Sequence, residues 1–460
     1  MSLATVRGLL LCCFISGLLA PLSAQETKSD AKTEAKPAAK PEKEALDYEL
    51  IKLFTDSLDQ VERNYVKEID RRELLEAAIK GMLTKLDPYS QYIPPNELEK
   101  FRSSVENEFG GIGITVSVES GELTVISPIF RTPAYNAGIR GGDIILEIEG
   151  QSTKGITLDD AVKRMKGKIG TAVKVKVQHI ADNKVAELEV KRDLIRVDSV
   201  LGDHRKDDFN WDYMLDGDKK IAYIRITNFG RHTADELRSV LSELTAADMK
   251  GLILDLRFNP GGLLSTGIDV CDLFVEEGKI VSTAGRNAPE RLWKAKKEGT
   301  FSEVPMVVLV NHYSASASEI VAACLQDHDR AIVIGERSWG KGSVQNIVEL
   351  EQGKSALKLT TAGYLRPSGK NIHRQEGAKE SEEWGVSPNE GFEVKTSKDD
   401  DSRWLEDRRQ RDVIKVAKPR PPMAQEPPVE PYVDQPLQKA KEYLVDKAAK
   451  VLAAKQAAAK

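Results

Sequence analysis

The second half of the chain alternates apolar runs with stretches of helical periodicity. Apolar runs with the length of buried strands lie at 219–229, 251–262, 304–311 and 330–336. Apolar residues recur at helical spacing at 233–244, 263–275 and 318–327. This alternation predicts βα units stacked around a largely parallel sheet. Functional sites in such sheets gather where strands end and helices begin.

Residues 106–196 predict a compact module of strands and one helix. Strand candidates lie at 110–118, 123–129, 143–150, 172–180 and 185–195. The helix is predicted at 157–167, where Leu158, Val162 and Met165 share one face. We therefore expect a mixed α/β protein of several domains, in which residues 197–395 form the larger, βα-repeat domain.

The segments before this module differ in composition. Residues 1–24 combine Arg7 with a short apolar run and predict a secretory signal peptide, with a retained membrane anchor as the alternative. Residues 25–45 are almost entirely Ala, Lys, Glu, Pro and Thr and predict a disordered linker. Residues 46–105 show helical spacing and predict an N-terminal helical unit, expected to be either a cap or a surface for homo-oligomers.

Residues 396–460 are expected to form a tail that is first Pro-rich and then Ala/Lys-rich. Its composition suggests that the tail binds a partner, the cell wall or the membrane surface, or that it supports oligomers.

Composition and charge exclude one class of partner. The chain has 40% hydrophobic and 30% charged residues with a formal net charge of −5, and no basic stripe with interleaved aromatic residues occurs in it. Nucleic acid is therefore not expected as a partner. Neither an H-E-x-x-H helix nor a Cys/His ligand set is present, so we expect no metal and no cofactor.

The stretch NHYSASASE at 311–319 lies at a predicted strand-to-helix junction. A serine there can project from the turn while N–H groups at the helix start face developing negative charge, as a nucleophile requires. A serine that merely caps the helix fits the same pattern. The stretch alone leaves both interpretations open.

Two further segments favour chemistry. Lys341 lies between two glycines directly after a predicted buried strand, and a lysine amine kept neutral by burial can act as the base for a serine hydroxyl. Gln345 is placed to orient that amine. The segment NPGG at 259–262 predicts a turn whose backbone N–H groups can approach a substrate closely. A serine–histidine arrangement through His312 is a weaker alternative.

Three motifs taken together, NPGGLL, SASASEI and WGKG followed by Gln345, resemble those of the C-terminal processing peptidases, also called tail-specific proteases, which are serine–lysine endopeptidases. The resemblance implies a crotonase-like or ClpP-like core, Ser316 as nucleophile and Lys341 as base, with Gln345 in support. It also implies an oxyanion hole formed by the N–H groups of Gly262 and Ala317. Asp327 matches an acidic residue implicated in some members.

The middle module resembles a PDZ domain of the bacterial protease type. In that case the backbone of Gly110, Gly111, Ile112, Gly113 and Ile114 holds the terminal carboxylate of a substrate. The apolar side chains of Leu158, Val162 and Met165 then line the groove, although each fits a core position equally well.

Together with the expected signal peptide, the resemblance implies an exported serine endopeptidase of the periplasm or cell envelope that recognises the C-terminal tails of proteins. Association of this enzyme with the membrane stays open. The alternative is a non-catalytic PDZ scaffold of the envelope that only binds such tails.

Overall fold

A computed structural model describes residues 41–414 and 432–458. The expected signal peptide (1–24) lies outside the described residues, as do residues 25–40 of the expected linker. Within the described ranges no helix is long and apolar enough to cross a bilayer. Contacts divide the chain into two compact units, Met1–Leu74 and Leu75–Lys460.

The chain begins with helices, as predicted for this region. They are α1 (Pro41–Asn64) and α2 (Arg71–Leu83), followed by strand β1 (Gln91–Ile93) and helix α3 (Pro95–Glu106). Helix α1 therefore begins inside the segment expected to be linker. Its apolar side chains are exposed; among them are Leu50, Ile51, Leu53 and Phe54.

The middle module is a small sheet covered by short helices. Its elements are β2 (Glu108–Gly111), β3 (Ile114–Glu119), β4 (Glu122–Pro128), α4 (Pro133–Asn136), β5 (Ile144–Ile148), β6 (Gln151–Ser152), α5 (Leu158–Met165), β7 (Ala172–Gln178), β8 (Val185–Lys191) and β9 (Asp193–Arg196). The antiparallel sheet has the order β3-β4-β5-β7-β8, with β6 beside β5, and β2 pairs with β9. Alternate residues of these strands, such as Val173, Val175 and Val177, are fully buried and form a separate core.

The remaining elements form the larger domain. They are β10 (Val200–Leu201), β11 (His204–Arg205), β12 (Trp211–Asp212), β13 (Met214–Asp216), β14 (Ile221–Ile226), α6 (Thr233–Ala246), β15 (Gly251–Asp255), α7 (Leu264–Asp272), β16 (Lys279–Gly285), β17 (Ala288–Lys294), β18 (Met306–Val310), α8 (Ala317–Asp327), β19 (Ile332–Gly335), β20 (Ser343–Leu350), β21 (Ser355–Leu365), α9 (Lys398–Asp412) and α10 (Gln435–Ala458).

The predicted parallel sheet is present. Strands β14, β15, β18 and β19 are parallel neighbours, while β10 and β13 pair antiparallel with β14. Every residue of β14, β15 and β18 is buried, which is typical of a parallel sheet covered on both faces. Helices α6, α7 and α8 pack on one face.

The opposite face of the sheet is covered by α10. Ala440 and Leu444 of this helix pack on Tyr223, Ile253 and Val307. Helix α9 also packs on the domain, since Trp404 stacks on Phe258 at a ring-centroid distance of 4.5 Å. Two helices from the segment expected to form a tail are therefore part of the larger domain.

A second, antiparallel sheet completes the domain. Its order is β1-β21-β16-β17, and β20 pairs with β21 as a long hairpin. The sequence patterns did not predict this sheet. Its hairpin carries Lys358 and Gln345 and lies beside the strand-to-helix junction of the parallel sheet.

Candidate active site

Ser316 occupies a strained position between β18 and α8. Its backbone angles are φ 57° and ψ −115°, a region that residues other than glycine rarely adopt. A strained turn from strand to helix exposes a nucleophile at the sheet edge in other hydrolase folds. The geometry therefore favours a chemical role for Ser316 over simple helix capping.

The neighbouring serines hold the turn in place. The Ser314 hydroxyl accepts from the Asn311 N–H (3.0 Å) and donates to the Leu256 carbonyl (2.8 Å). The Ser318 hydroxyl donates to the Asn259 carbonyl (2.9 Å). All three of these polar contacts are buried, so the turn around Ser316 is fixed by its two flanking serines.

Asn259 joins the NPGG turn to the serine turn. Its side chain accepts from the Gly261 N–H and donates to the Ile226 carbonyl, both at 2.8 Å, and its own carbonyl also accepts from the Ala315 N–H (3.0 Å). Gly261 has φ +98°, and a Cβ there would lie 2.7 Å from the Cβ of Ser316. Glycine is thus required for the two turns to approach each other.

Gly262 and Ala317, predicted to form the oxyanion hole, lie on these two turns. Gly262 lines the same cavity as Ser316, and Ala317 is the first residue of α8. Among the described residues neither N–H donates a hydrogen bond. Both N–H groups are therefore available to bind an oxygen atom of a ligand. The dipole of α8 also favours negative charge at this end of the helix.

Lys341 lies in the turn between β19 and β20 and lines the same cavity of about 510 Å³ as Ser316. Burial and the charge of Lys358 lower the pKa of Lys341 below its ordinary value, against the opposing effects of Glu319 and Asp87. Its Nζ lies 5.0 Å from the centre of the Tyr89 ring and, within the described chain, has no hydrogen bond to Ser316. Such bonds often form only with substrate bound.

Glu319 connects the serine turn to the lysine turn. Its buried carboxylate accepts from the N–H groups of Ser316 (2.8 Å), Gly340 (2.7 Å) and Lys341 (2.8 Å), and from the Ser338 hydroxyl (2.6 Å). Burial raises the pKa of this carboxyl, although the hydrogen bonds oppose the rise. Sequence reasoning missed Glu319, yet the S-x-x-E spacing from Ser316 is the signal of a capping box.

Tyr364 and Tyr89 also reach the site without having been predicted. The Tyr364 hydroxyl lies 2.5 Å from the Lys341 carbonyl and 3.1 Å from that of Ser316. Tyr89 comes from the segment DPYSQYIPP, which links α2 to α3 and includes β1. No sequence signal connects either tyrosine to the serine.

Gln345 lies in the cavity but does not contact the lysine amine. Its amide donates to Ser343 Oγ (2.9 Å) and lies 3.2 Å from Thr360 Oγ1. Neither contact reaches Lys341, so these contacts do not support the predicted role of Gln345 in orienting the lysine amine.

Asp327 is not brought to the cavity. It ends α8, about 16 Å along an 11-residue helix from the serine turn, and forms an ion pair with Arg366 (2.6 Å). Burial raises the pKa of the Asp327 carboxyl, but the hydrogen bonds and charge of Arg366 bring it below its ordinary value. A role as a supporting acid at Ser316 is not compatible with this position.

His312 is held away from Ser316. Its Nδ1 lies 2.9 Å from Glu336 and its Nε2 3.6 Å from Asp401, so both ring nitrogens face carboxylates. The alternative with a serine–histidine pair has no support in this geometry.

The predicted carboxylate-binding segment of the middle module forms a tight glycine turn. Gly110 and Gly111 end β2, Gly113 has φ +79°, and a Cβ at Gly113 would lie 2.4 Å from the Cβ of Thr132. Ile114 starts β3. Among the described residues the N–H groups of Ile112 and Gly113 donate no hydrogen bond, so they are free for a ligand.

The apolar residues of this module divide between core and groove. The side chains of Ile112 (2% exposed) and Met165 (4%) belong to the core, so Met165 contributes little to a groove surface. Val162 is partly buried, while Leu158 is 43% exposed beside β3. The groove between α5 and β3 is therefore open mainly at Leu158 and Val162.

Comparisons with known proteins agree with this architecture. The family model of peptidase family S41 matches residues 220–390, that of the PDZ domain residues 110–191, and that of the activating protease CtpB N-terminal domain residues 15–96. A carboxy-terminal-processing protease of Bartonella bacilliformis is 41% identical over 330 residues, 71% of this chain and 73% of that protein.

The carboxy-terminal processing protease CtpA of Bacillus subtilis is 37% identical over 319 residues, 69% of this chain and 65% of that protein. A solved photosystem II D1 C-terminal processing protease is 27% identical and covers 74% of this chain and 92% of its own, with a TM-score of 0.42.

Fold and family matches define a peptidase with a PDZ domain, so the predicted mixed α/β class with N-terminal, PDZ and protease domains is confirmed. The chain belongs to the carboxy-terminal processing protease family.

Proposed function

We propose that the chain is an exported serine endopeptidase that binds the C-terminal tails of proteins through its PDZ domain and cleaves them with Ser316 and Lys341. One observation carries the proposal. The strained Ser316, the partly buried Lys341 and the free N–H of Gly262 line a single cavity.

In this mechanism the neutral Lys341 amine removes the Ser316 proton as Oγ attacks the scissile carbonyl. The N–H groups of Gly262 and Ala317 bind the oxyanion. The ammonium then protonates the departing amine, which leaves an acyl-enzyme. Lys341 next takes a proton from water, and the resulting hydroxide attacks the acyl carbonyl. The bond from the acyl carbon to Ser316 Oγ then breaks, which releases the new carboxylate, and the Lys341 ammonium returns its proton to Oγ.

Single substitutions test the mechanism. Ser316→Ala and Lys341→Ala are expected to abolish cleavage of a peptide with a free tail without altering the fold, as judged by circular dichroism. His312→Ala is the matched control and should remain active. Activity in Lys341→Ala together with inactivity in His312→Ala would refute the serine–lysine assignment.

An acylating probe separates the peptidase from a non-catalytic scaffold. The probe is expected to label Ser316 in the wild type and not in Lys341→Ala. A protein that binds tail peptides but is neither labelled nor able to cleave them would be the scaffold.

Export and association are further parts of the proposal. The composition of residues 1–24 supports export to the periplasm or cell envelope, which fractionation of cells with and without this segment would test. The exposed apolar residues of α1, with Ile51 67% and Leu53 63% exposed, support homo-oligomers through this helix. Ile51→Glu should then lower the mass measured by light scattering. The described helices of the C-terminal region give no separate support for binding to membrane or cell wall.

A further inference from the structure

A second lysine lies in the cavity of Ser316 and Lys341. Lys358 belongs to β21, where it pairs with Ile347 of β20 on one side and with Gln91 of β1 on the other. Its side chain is partly buried and lines the same cavity. The lysine is therefore fixed by two neighbouring strands rather than carried on a surface loop.

The Lys358 ammonium has no counter-charge in the part of the chain that the structure describes. No ion pair or hydrogen bond reaches it there, and the described residues that line the cavity include neither Asp nor Glu. Two largely buried arginines of the domain, in contrast, are paired with carboxylates. Arg257 contacts Asp255 and Asp434, both at 2.7 Å, and Arg366 contacts Asp327.

An ammonium that is partly withdrawn from water without a partner is unfavourable, and an anionic ligand relieves that cost. Burial lowers the pKa of Lys358, as expected for a cation that lacks a partner. An unmodified polypeptide offers only carboxylates as anions, either the side chains of Asp and Glu or its own terminus.

We propose that Lys358 forms a subsite for a substrate carboxylate close to the scissile bond. This inference rests on the proposed peptidase function and names its substrate class, which is peptides with an acidic group near the cleavage point. The cavity also offers apolar surface, from Phe101, Leu263, Leu264, Ile320 and Ile347. Lys341 is the other lysine of the cavity and acts as the neutral base in the proposed mechanism, so Lys358 is left as the cation for a carboxylate.

Strand geometry places the subsite near the reacting groups. Lys358 is two residues from Thr360, about 7 Å along the strand, and Thr360 Oγ1 lies 3.2 Å from Gln345 Nε2 in the cavity wall. An extended peptide advances by a similar distance in two residues. The carboxylate is therefore expected within a few residues of the scissile bond, well separated from the tail that the PDZ domain binds.

The charge of Lys358 also lowers the pKa of Lys341. The test must separate this effect from the proposed binding of a substrate carboxylate. Loss of Lys358 will thus change the cleavage of every peptide. The ratio of kcat/KM for two peptides, measured with one enzyme, cancels that general effect.

The test uses the full chain and peptides that share one C-terminal tail. Glu or Gln is placed at successive positions on either side of the scissile bond. A separate, shorter pair lacks the tail and ends a few residues after the scissile bond, as a free acid or an amide. The enzymes are wild type, Lys358→Met, Lys358→Arg and, as the matched control, Lys354→Met, which changes an exposed lysine of the same hairpin.

Wild type is expected to prefer Glu to Gln about tenfold at one position, and added salt should reduce the preference. Lys358→Met should bring the ratio to about one, while Lys358→Arg and Lys354→Met retain it. A preference for acid over amide in the short pair alone would identify the chain terminus as the source of the carboxylate.

Equal cleavage of all pairs by wild type overturns the inference, and this result does not depend on the folding of any variant. A preference that persists in Lys358→Met also overturns it. If wild type cleaves no peptide, or Ser316→Ala cleaves them equally well, the peptidase proposal itself fails, and with it the subsite.

Discussion

In the proposed mechanism Glu319 sets the distance between the two reacting residues, because its carboxylate accepts from both the serine turn and the lysine turn. In Glu319→Gln one oxygen becomes an amide group that faces N–H donors and leaves them unpaired. We expect kcat/KM to fall about 100-fold and the free energy of unfolding to fall by about 2–4 kcal/mol. Peptide cleavage and urea unfolding measure the two effects.

Ser338→Ala is the matched control for this change, since it removes one donor to the same carboxylate, together with the acceptor of the Val386 N–H. Its losses should be clearly smaller than those of Glu319→Gln. Equal kcat/KM in Glu319→Gln and wild type would show that the carboxylate does not position the turns.

In the proposed mechanism the Lys341 amine determines how activity depends on pH. Only the neutral amine can remove the Ser316 proton, so activity is expected to rise with pH through the lowered pKa of Lys341. Removing the Lys358 charge takes away one cause of that lowering. The rising limb of kcat/KM against pH should therefore move to higher pH in Lys358→Met, whereas an unchanged limb would assign the titration to another group.

The same burial makes Lys341 unfavourable for stability. Because its pKa is lower in the folded than in the unfolded chain, the charged lysine destabilises the fold at every pH below the folded pKa. Lys341→Met should thus raise the free energy of unfolding near neutral pH. The gain should shrink as the pH rises from the folded pKa towards the ordinary 10.5. Urea unfolding at several pH values measures this, and a gain independent of pH would contradict it.

At the scale of single residues, the sequence predicted the site residues that belong to a motif. It missed the residues that only the fold brings to the site. Ser316, Lys341 and Gly262 were predicted, and they line one cavity. Asp327 was predicted but lies at the far end of α8, since a motif match carries no information about helix length. Tyr89 is remote from Ser316 in sequence, and only the fold brings it to Lys341.

At the scale of elements, the hydrophobic pattern predicted the strands that are buried on both faces of the parallel sheet. The strands β14, β15 and β18 are buried throughout and apolar except for Arg225 and Asp255, and all three were predicted. The hairpin of β20 and β21 was missed because its residues are mostly half-buried or exposed and include polar ones such as Gln345 and Lys358, so no continuous apolar run marks it.

Helix α10 was interpreted as a tail because its composition is rich in Ala and Lys, yet it covers one face of the parallel sheet. Leu444 is fully buried there, and its Cβ approaches Gly251 of β15. We expect Leu444→Ala to lower the free energy of unfolding by about 2–4 kcal/mol. Glu442→Ala, an exposed change on the same helix, should have little effect. Equal stabilities in urea unfolding would mean that α10 is dispensable to the domain.

The residue just before this helix forms an ion pair with the larger domain. Asp434, just before α10, pairs with the buried Arg257, which in turn pairs with Asp255 at the end of β15. The segment DLRFNPGG that follows β15 supplies the Gly262 N–H. The C-terminal region is therefore connected to the oxyanion turn through three charged side chains.

At the scale of the whole molecule, tail binding and cleavage are assigned to different domains, so they should respond separately to substitution. Leu158 is the most exposed apolar side chain of the α5 groove, 43% exposed, and an aspartate there would repel an apolar tail carrying a carboxylate. Leu158→Asp is expected to raise KM about tenfold with kcat nearly unchanged, because chemistry at Ser316 is untouched. Val185→Asp changes a similarly exposed residue (52%) on β8, the opposite edge of the same sheet, and should alter neither constant.

Amidation of the substrate tail provides the complementary measurement, since it removes the charge that the Gly110–Gly113 turn is expected to bind. In wild type, amidation should raise KM as Leu158→Asp does, and it should add little in the variant, because two changes at one site are not independent. If Leu158→Asp instead lowers kcat and leaves KM unchanged, the PDZ domain acts on the protease site rather than on substrate capture, and the division of roles between the domains is wrong.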